Sequence, residues 1–75
     1  MNSKESLKSI CENFLSSPTP SWEAKYRFVF SFAFHEAVEK VLGKLPDYYD
    51  PNSSYEEDVR AYLNAILKEM ENTND

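Results

Sequence analysis

Glycine occurs once in this chain, at Gly43, cysteine once, at Cys11, and histidine once, at His35. Each scarcity excludes something. One glycine leaves no glycine-rich loop to cradle a phosphate and too few turn residues for a β-sandwich. One cysteine excludes an internal disulfide and suits a reducing compartment. A zinc site takes three or four clustered ligands, more than one histidine and one cysteine on separate segments supply. The longest apolar stretch, Phe28 to Phe34, falls far short of the ~20 residues of a membrane span. No basic-then-apolar leader opens the chain, so no secretory signal is expected and a cytoplasmic protein is. Basic residues are short as well. Eight Lys and Arg against 13 Asp and Glu give a net charge of −5 at pH 7, with no basic face, so direct binding of nucleic acid is not expected.

Aromatic residues are plentiful. Six of the 11 lie between Trp22 and Leu42: Trp22, Tyr26, Phe28, Phe30, Phe32 and Phe34. The alternation from Tyr26 to Phe34 has the period of a strand. Its flanks, Trp22-Glu-Ala-Lys and His35-Glu-Ala-Val-Glu-Lys-Val-Leu, are helix-forming, and no turn residue separates them from the aromatic core. Helix is therefore the reading adopted. At about 100° per residue, Tyr26, Phe30, Ala33, Phe34, Ala37 and Val41 share one face, and Phe28 and Phe32 lie nearly opposite, beside His35 and Glu39. A helix apolar on nearly all sides needs more than one neighbour. Phe28 and Phe32 are thus the candidates for self-association, with a homodimer as the result.

Elsewhere the helical signals are simpler. Leu7, Ile10, Cys11, Phe14 and Leu15 form an i, i+3, i+4 stripe over residues 3–16, with Cys11 as a buried structural thiol. Prolines at 18 and 20 end that helix. Thr19 with Pro20, or else Ser21, then starts a second helix. Carried to Leu42, that helix is roughly 35 Å long at about 1.5 Å per residue, longer than its neighbour, so a kink or an overhanging end near Trp22 is expected. Gly43 suits the stop. Ser54 followed by Glu57 has the capping-box form, and Val59, Tyr62, Leu63, Ile66, Leu67 and Met70 continue a last helix to about 71, with 72–75 frayed. The expected architecture is all-α, one domain over 1–75: a small three- to four-helix bundle around a long, aromatic-rich central helix at 20–42, a short turn in 46–52 being the fourth element. The expected core holds Leu7, Ile10, Phe14, Phe30, Phe34, Val41, Leu63 and Ile66.

Charge is distributed unevenly. Residues 1–43 carry five acids and five bases, residues 44–58 carry Asp47, Asp50, Glu56, Glu57 and Asp58 against Lys44 alone, and residues 59–75 add −1. Most of the negative charge therefore lies in fifteen residues that also hold Tyr48, Tyr49 and Tyr55. Carboxylates steer and pair with a basic partner, and tyrosines supply stiff contact area. The plainer alternative is a solvated loop followed by acids that favour a helix N-terminus. Catalysis has little support. Ser31, His35 and Glu39 form a ladder at helical spacing, a pattern that most often makes surface hydrogen bonds. The run from Asp50 to Ala61 lacks the glycine and the closing glutamate of a calcium loop. No cofactor is expected.

Two places resemble the bacteriocin immunity proteins of the type that protects against colicin-D-like, transfer-RNA-cleaving toxins. One is Phe14-Leu15-Ser16-Ser17, followed after a short break by an aromatic-rich helix. The other is Tyr48-Tyr49-Asp50 leading to Glu57-Asp58-Val59-Arg60 and a closing Leu63, Ile66, Leu67 helix. The Tyr48-Tyr49 pair is also similar to that of the DNase-immunity group. The resemblance spans about half the chain, which is shorter than is usual in either group. It implies a non-catalytic inhibitor whose acidic face, Asp47, Tyr48, Tyr49, Asp50, Tyr55, Glu56, Glu57 and Asp58, occupies the basic cleft of a nuclease toxin. The alternatives are a phage-encoded or other acidic adaptor that inhibits a nucleic-acid enzyme, and a self-associating helical dimer.

Overall fold

The computed structural model describes residues 3–16, 21–46 and 54–73. Four α-helices account for all the regular structure among them: α1, Ser3–Ser16; α2, Trp22–Val29; α3, Phe32–Leu42; and α4, Tyr55–Thr73. No strand occurs among the described residues. The all-α expectation therefore holds, and the aromatic alternation is not a strand. The first helix lies where its apolar stripe placed it; the last follows its stripe too but runs on to Thr73, so residues 72 and 73, expected to fray, are helical. The stripe shared by these two helices is amphipathic in the ordinary sense, with Leu7 and Cys11 of α1 buried against Val59, Tyr62, Leu63, Ile66 and Met70 of α4. α4 is the common neighbour of α1, α2 and α3.

The single central helix over 20–42 is corrected to two. α2 ends at Val29, Phe30 takes φ −100° and ψ 20°, and α3 restarts after Ser31 in extended backbone at φ −80° and ψ 158°. Ser31 closes both ends of the break: its Oγ accepts from the Phe34 N–H at 3.3 Å and donates to the Phe28 carbonyl at 2.7 Å. The packing shows why the chain breaks here. Val29 and Val38 are both fully buried, yet they are nine residues apart, about half a turn out of phase on a continuous helix at about 100° per residue. No unbroken helix could aim both at one core. Resetting the phase at Ser31 lets α2 bury Lys25 and Val29 while α3 buries Phe34 and Val38.

That reset also redistributes the expected core. Leu7, Phe34, Leu63 and Ile66 are buried as expected, whereas Ile10, Phe14, Phe30 and Val41 are only partly buried and pack around the centre. Ala33 and Ala37, expected on the inward face, are exposed. Lys25 is the one buried charged residue among those described. Its ammonium sits 4.0 Å from the centre of the Trp22 ring and 3.4 Å from the Phe14 carbonyl, so a cation-π contact and a charge-assisted hydrogen bond offset its desolvation. α3 ends as expected on Gly43 in the left-handed region at φ 79°, whose N–H returns to the Glu39 carbonyl at 2.7 Å.

Candidate partner-binding surface

The expected partner-binding residues divide at Ser54. Asp47, Tyr48, Tyr49 and Asp50 lie outside the described residues, as do Pro51 and the short turn expected in 46–52 apart from Pro46. Tyr55, Glu56, Glu57 and Asp58 form the first turn of α4. That turn is built by a reciprocal cap: the Ser54 N–H donates to Glu57 Oε1 at 3.0 Å, and the Glu57 N–H donates to Ser54 Oγ at 3.3 Å. Three consecutive acids then oppose the positive end of the helix dipole. Tyr55, Glu56 and Glu57 are exposed and Asp58 half-buried.

Two of the acids also have local work. Glu57 caps, and Glu56 pairs with Arg60 at 2.9 Å. Arg60 lies 4.9 Å from the Trp22 ring centre, so Trp22 carries two cations and ties α2 to α4. Lys44, the only base in residues 44–58, is drawn off by Glu69 at 3.2 Å. The one base within residues 44–58 is thus matched by an acid from outside them, while Arg60, just beyond, pairs with Glu56.

Tyr55 is not a loose surface ring. It is half exposed, yet its centroid lies 4.9 Å from that of Tyr26. Tyr26 in turn meets Phe30 at 4.6 Å, and Phe30 stacks on Tyr62 at 5.0 Å. A file of rings therefore runs from the acidic turn into the core and ends at His35, whose Nδ1 lies 2.9 Å from the Tyr62 hydroxyl. The i, i+4 spacing of Tyr26 and Phe30 was visible in the sequence. The joints to Tyr55 and Tyr62 were not, because they cross between elements distant in the chain.

Two of the residues weighed for catalysis, Ser31 and His35, have structural partners. Ser31 caps α3, and His35 faces Tyr62 rather than Ser31 or Glu39. Burial pushes the Cys11 thiol up to about 12, with the Glu12 charge adding to the rise, which holds the sulfur in its protonated, non-nucleophilic form. Burial likewise raises the Tyr62 phenol to about 12, with Cys11 as the second cause. Among the described residues no group of three or more His, Cys, Asp or Glu could hold a metal ion, and no helix is long and apolar enough to cross a membrane.

Phe28 and Phe32, the expected self-association residues, are 46% and 78% exposed. Phe28 rests against Phe14 at 5.5 Å and Phe34 at 5.4 Å. Phe32 makes no ring contact with any described residue and projects from the first turn of α3. Comparison of this chain with protein-family models, with curated proteins and with solved structures finds no match.

Proposed function

We propose that this chain is a small helical bundle of the cytoplasm that binds and inhibits a basic protein partner through its acidic, tyrosine-bearing end, with no catalysis of its own. The observation that carries the reading is the first turn of α4. It presents Tyr55 and Glu56 to Asp58 on a capped helix, four residues removed in sequence from Asp47, Tyr48, Tyr49 and Asp50. Diversion of Lys44 to Glu69 supports it, because the one base within residues 44–58 is matched by an acid outside them, with Arg60 pairing to Glu56. The ring file behind Tyr55 supports it too, because a pre-positioned tyrosine loses little freedom on binding. Such a surface fits the cleft of a nucleic-acid enzyme, which is basic because it must hold phosphates. Neutralisation of a bacterial nuclease toxin is the specific reading favoured by the resemblance at Tyr48-Tyr49-Asp50 and Glu57-Asp58-Val59-Arg60.

The test captures the partner from the native host with the intact chain and then measures its binding rates. Asp47→Lys with Asp50→Lys should slow association about tenfold or more at low salt and flatten its salt dependence. Tyr49→Ala and Tyr55→Ala should instead speed dissociation, since they remove short-range contact area. Binding indifferent to all four changes would reduce the acidic stretch to a solvated connector. A captured partner that cleaves no RNA or DNA would end the toxin reading while leaving the acidic surface in place.

A further inference from the structure

A second surface lies on the α1–α3 side. α1 and α3 leave between them an open apolar groove of about 360 Å³, lined by Leu7, Ile10, Phe34 and Val41 and by Phe28 of α2. Its depth comes from Ala33 and Ala37, one turn apart on α3, whose small side chains leave the α3 side of the groove unfilled. Lys40 is the one charged residue on its lining. A groove of this kind buries apolar area only when something covers it.

We propose that a second copy of this chain covers it. The two α3 helices pair antiparallel about a two-fold axis, each Phe32 seating at the Val41 end of the other copy's groove and each Glu36 facing the other copy's Lys40. Three observations select a second copy over a foreign partner. The face holds both halves of an apolar fit on one element, the projecting Phe32 ring and the Ala33–Ala37 depression. It also holds both halves of an ionic fit. Glu36 and Lys40 are exposed, one turn apart, and neither forms an ion pair with a described residue. Both fits are what a self-complementary, two-fold interface requires, since every residue must meet its counterpart twice. The third observation is the distribution of charge. Copies carrying −5 each repel, and α1 is where they can approach, its Lys4 and Lys8 balancing Glu5 and Glu12, while α3 adds only Glu36 and Glu39 against Lys40. A basic partner would be drawn to the start of α4 instead.

Sedimentation equilibrium over micromolar to millimolar concentrations tests this on the intact chain. The wild type should dimerise, and Phe32→Ser should raise the dissociation constant at least tenfold while circular dichroism stays helical, because the ring is exposed. The sharper test uses charge. Glu36→Lys alone and Lys40→Glu alone each place like charges across the axis, so each should be monomeric where the wild type is dimeric. Mixed in equal amounts, the two variants regain opposite pairs at both contacts and should form a heterodimer, which also shows that both are folded. A wild type that stays monomeric to millimolar concentration overturns the proposal and leaves the groove to an apolar small molecule or a foreign helix. A dimer that survives Phe32→Ser, or single reversals whose mixture does not associate, overturns it equally.

Discussion

At the scale of single residues, the core is organised by groups that must stay neutral. Cys11 and Tyr62 are both buried, and burial raises each to about 12 from ordinary values of 9.0 and 10.0. The consequence for stability has a definite sign. Below about pH 9 both groups are protonated whether the chain is folded or not, so neither makes stability depend on pH. Above it the unfolded chain releases the thiol proton, and above about 10 the phenol proton, while the folded chain retains both. The folded state then binds more protons than the unfolded one, and stability falls as pH rises toward 12. The loss is on the order of a few kcal/mol, a large share of what a domain of this size has. Urea denaturation at pH 8, 9.5 and 11 should show it, and Cys11→Ala should delay its onset to the range where Tyr62 titrates. The same burial predicts that Cys11 reacts with a thiol reagent at neutral pH only through opening of the fold, at a rate that rises with reagent concentration and levels off at the rate of opening. A denaturation midpoint flat from pH 8 to 11 would mean that both groups reach water in the folded chain.

At the scale of elements, what could be read from the sequence divides by amphipathicity. The first and last helices carry one apolar stripe each, and a stripe names both the helix and its buried face; Ser54 and Glu57 even fix where α4 begins. The middle carries aromatics on every side, so periodicity named a helix there but set its inward face on Phe30, Phe34 and Val41, and Val29, Val38 and Lys25 went unread as core residues. A length argument pointed to a kink, and the residue that makes the break, Ser31, was in view only as a neighbour of His35. The acidic half of the candidate surface was legible as charge, whereas the ring file behind Tyr55 and the α1–α3 groove arise between elements far apart in sequence and leave no local pattern. Two substitutions weigh the joints. Ser31→Ala removes the side chain that accepts from Phe34 and donates to Phe28, and should cost about 1 kcal/mol. Gly43→Ala meets open space but holds φ 79°, so its cost is backbone strain alone, again about 1 kcal/mol, with Gly43→Asn costing less. In a chain of this length each should lower the melting temperature by roughly 4–8 °C. A Ser31→Ala protein that melts with the wild type would place the break under the control of core packing alone.

At the scale of the whole molecule, the two surfaces differ in the physics that would drive them, and salt separates the two. The acidic stretch concentrates like charge, so its attraction for a basic partner acts at long range and weakens as ions screen it. The α1–α3 face joins apolar groups and two exposed ion pairs between copies that repel overall, so salt screens an unfavourable term there at least as much as a favourable one. Raising ionic strength from about 0.01 to about 0.15 M shortens the screening length from roughly 30 to 8 Å. Over that range the association rate with the captured basic partner should fall about tenfold or more, while the dimerisation constant of the chain alone should hold steady or tighten. The two surfaces also use different side chains. Tyr55 and the acids belong to α4 and lean on Tyr26 of α2, whereas the groove is lined by residues of α1 and α3 together with Phe28 of α2. Asp47→Lys with Asp50→Lys should therefore leave dimerisation unweakened, and Phe32→Ser should leave partner binding untouched. Both halves are measured by running the sedimentation series and the binding kinetics at the two salt concentrations on the same three proteins. Dimerisation that weakens with salt in parallel with partner binding would place the acidic turn inside the contact between copies, and the division of the molecule into two independent surfaces would fall.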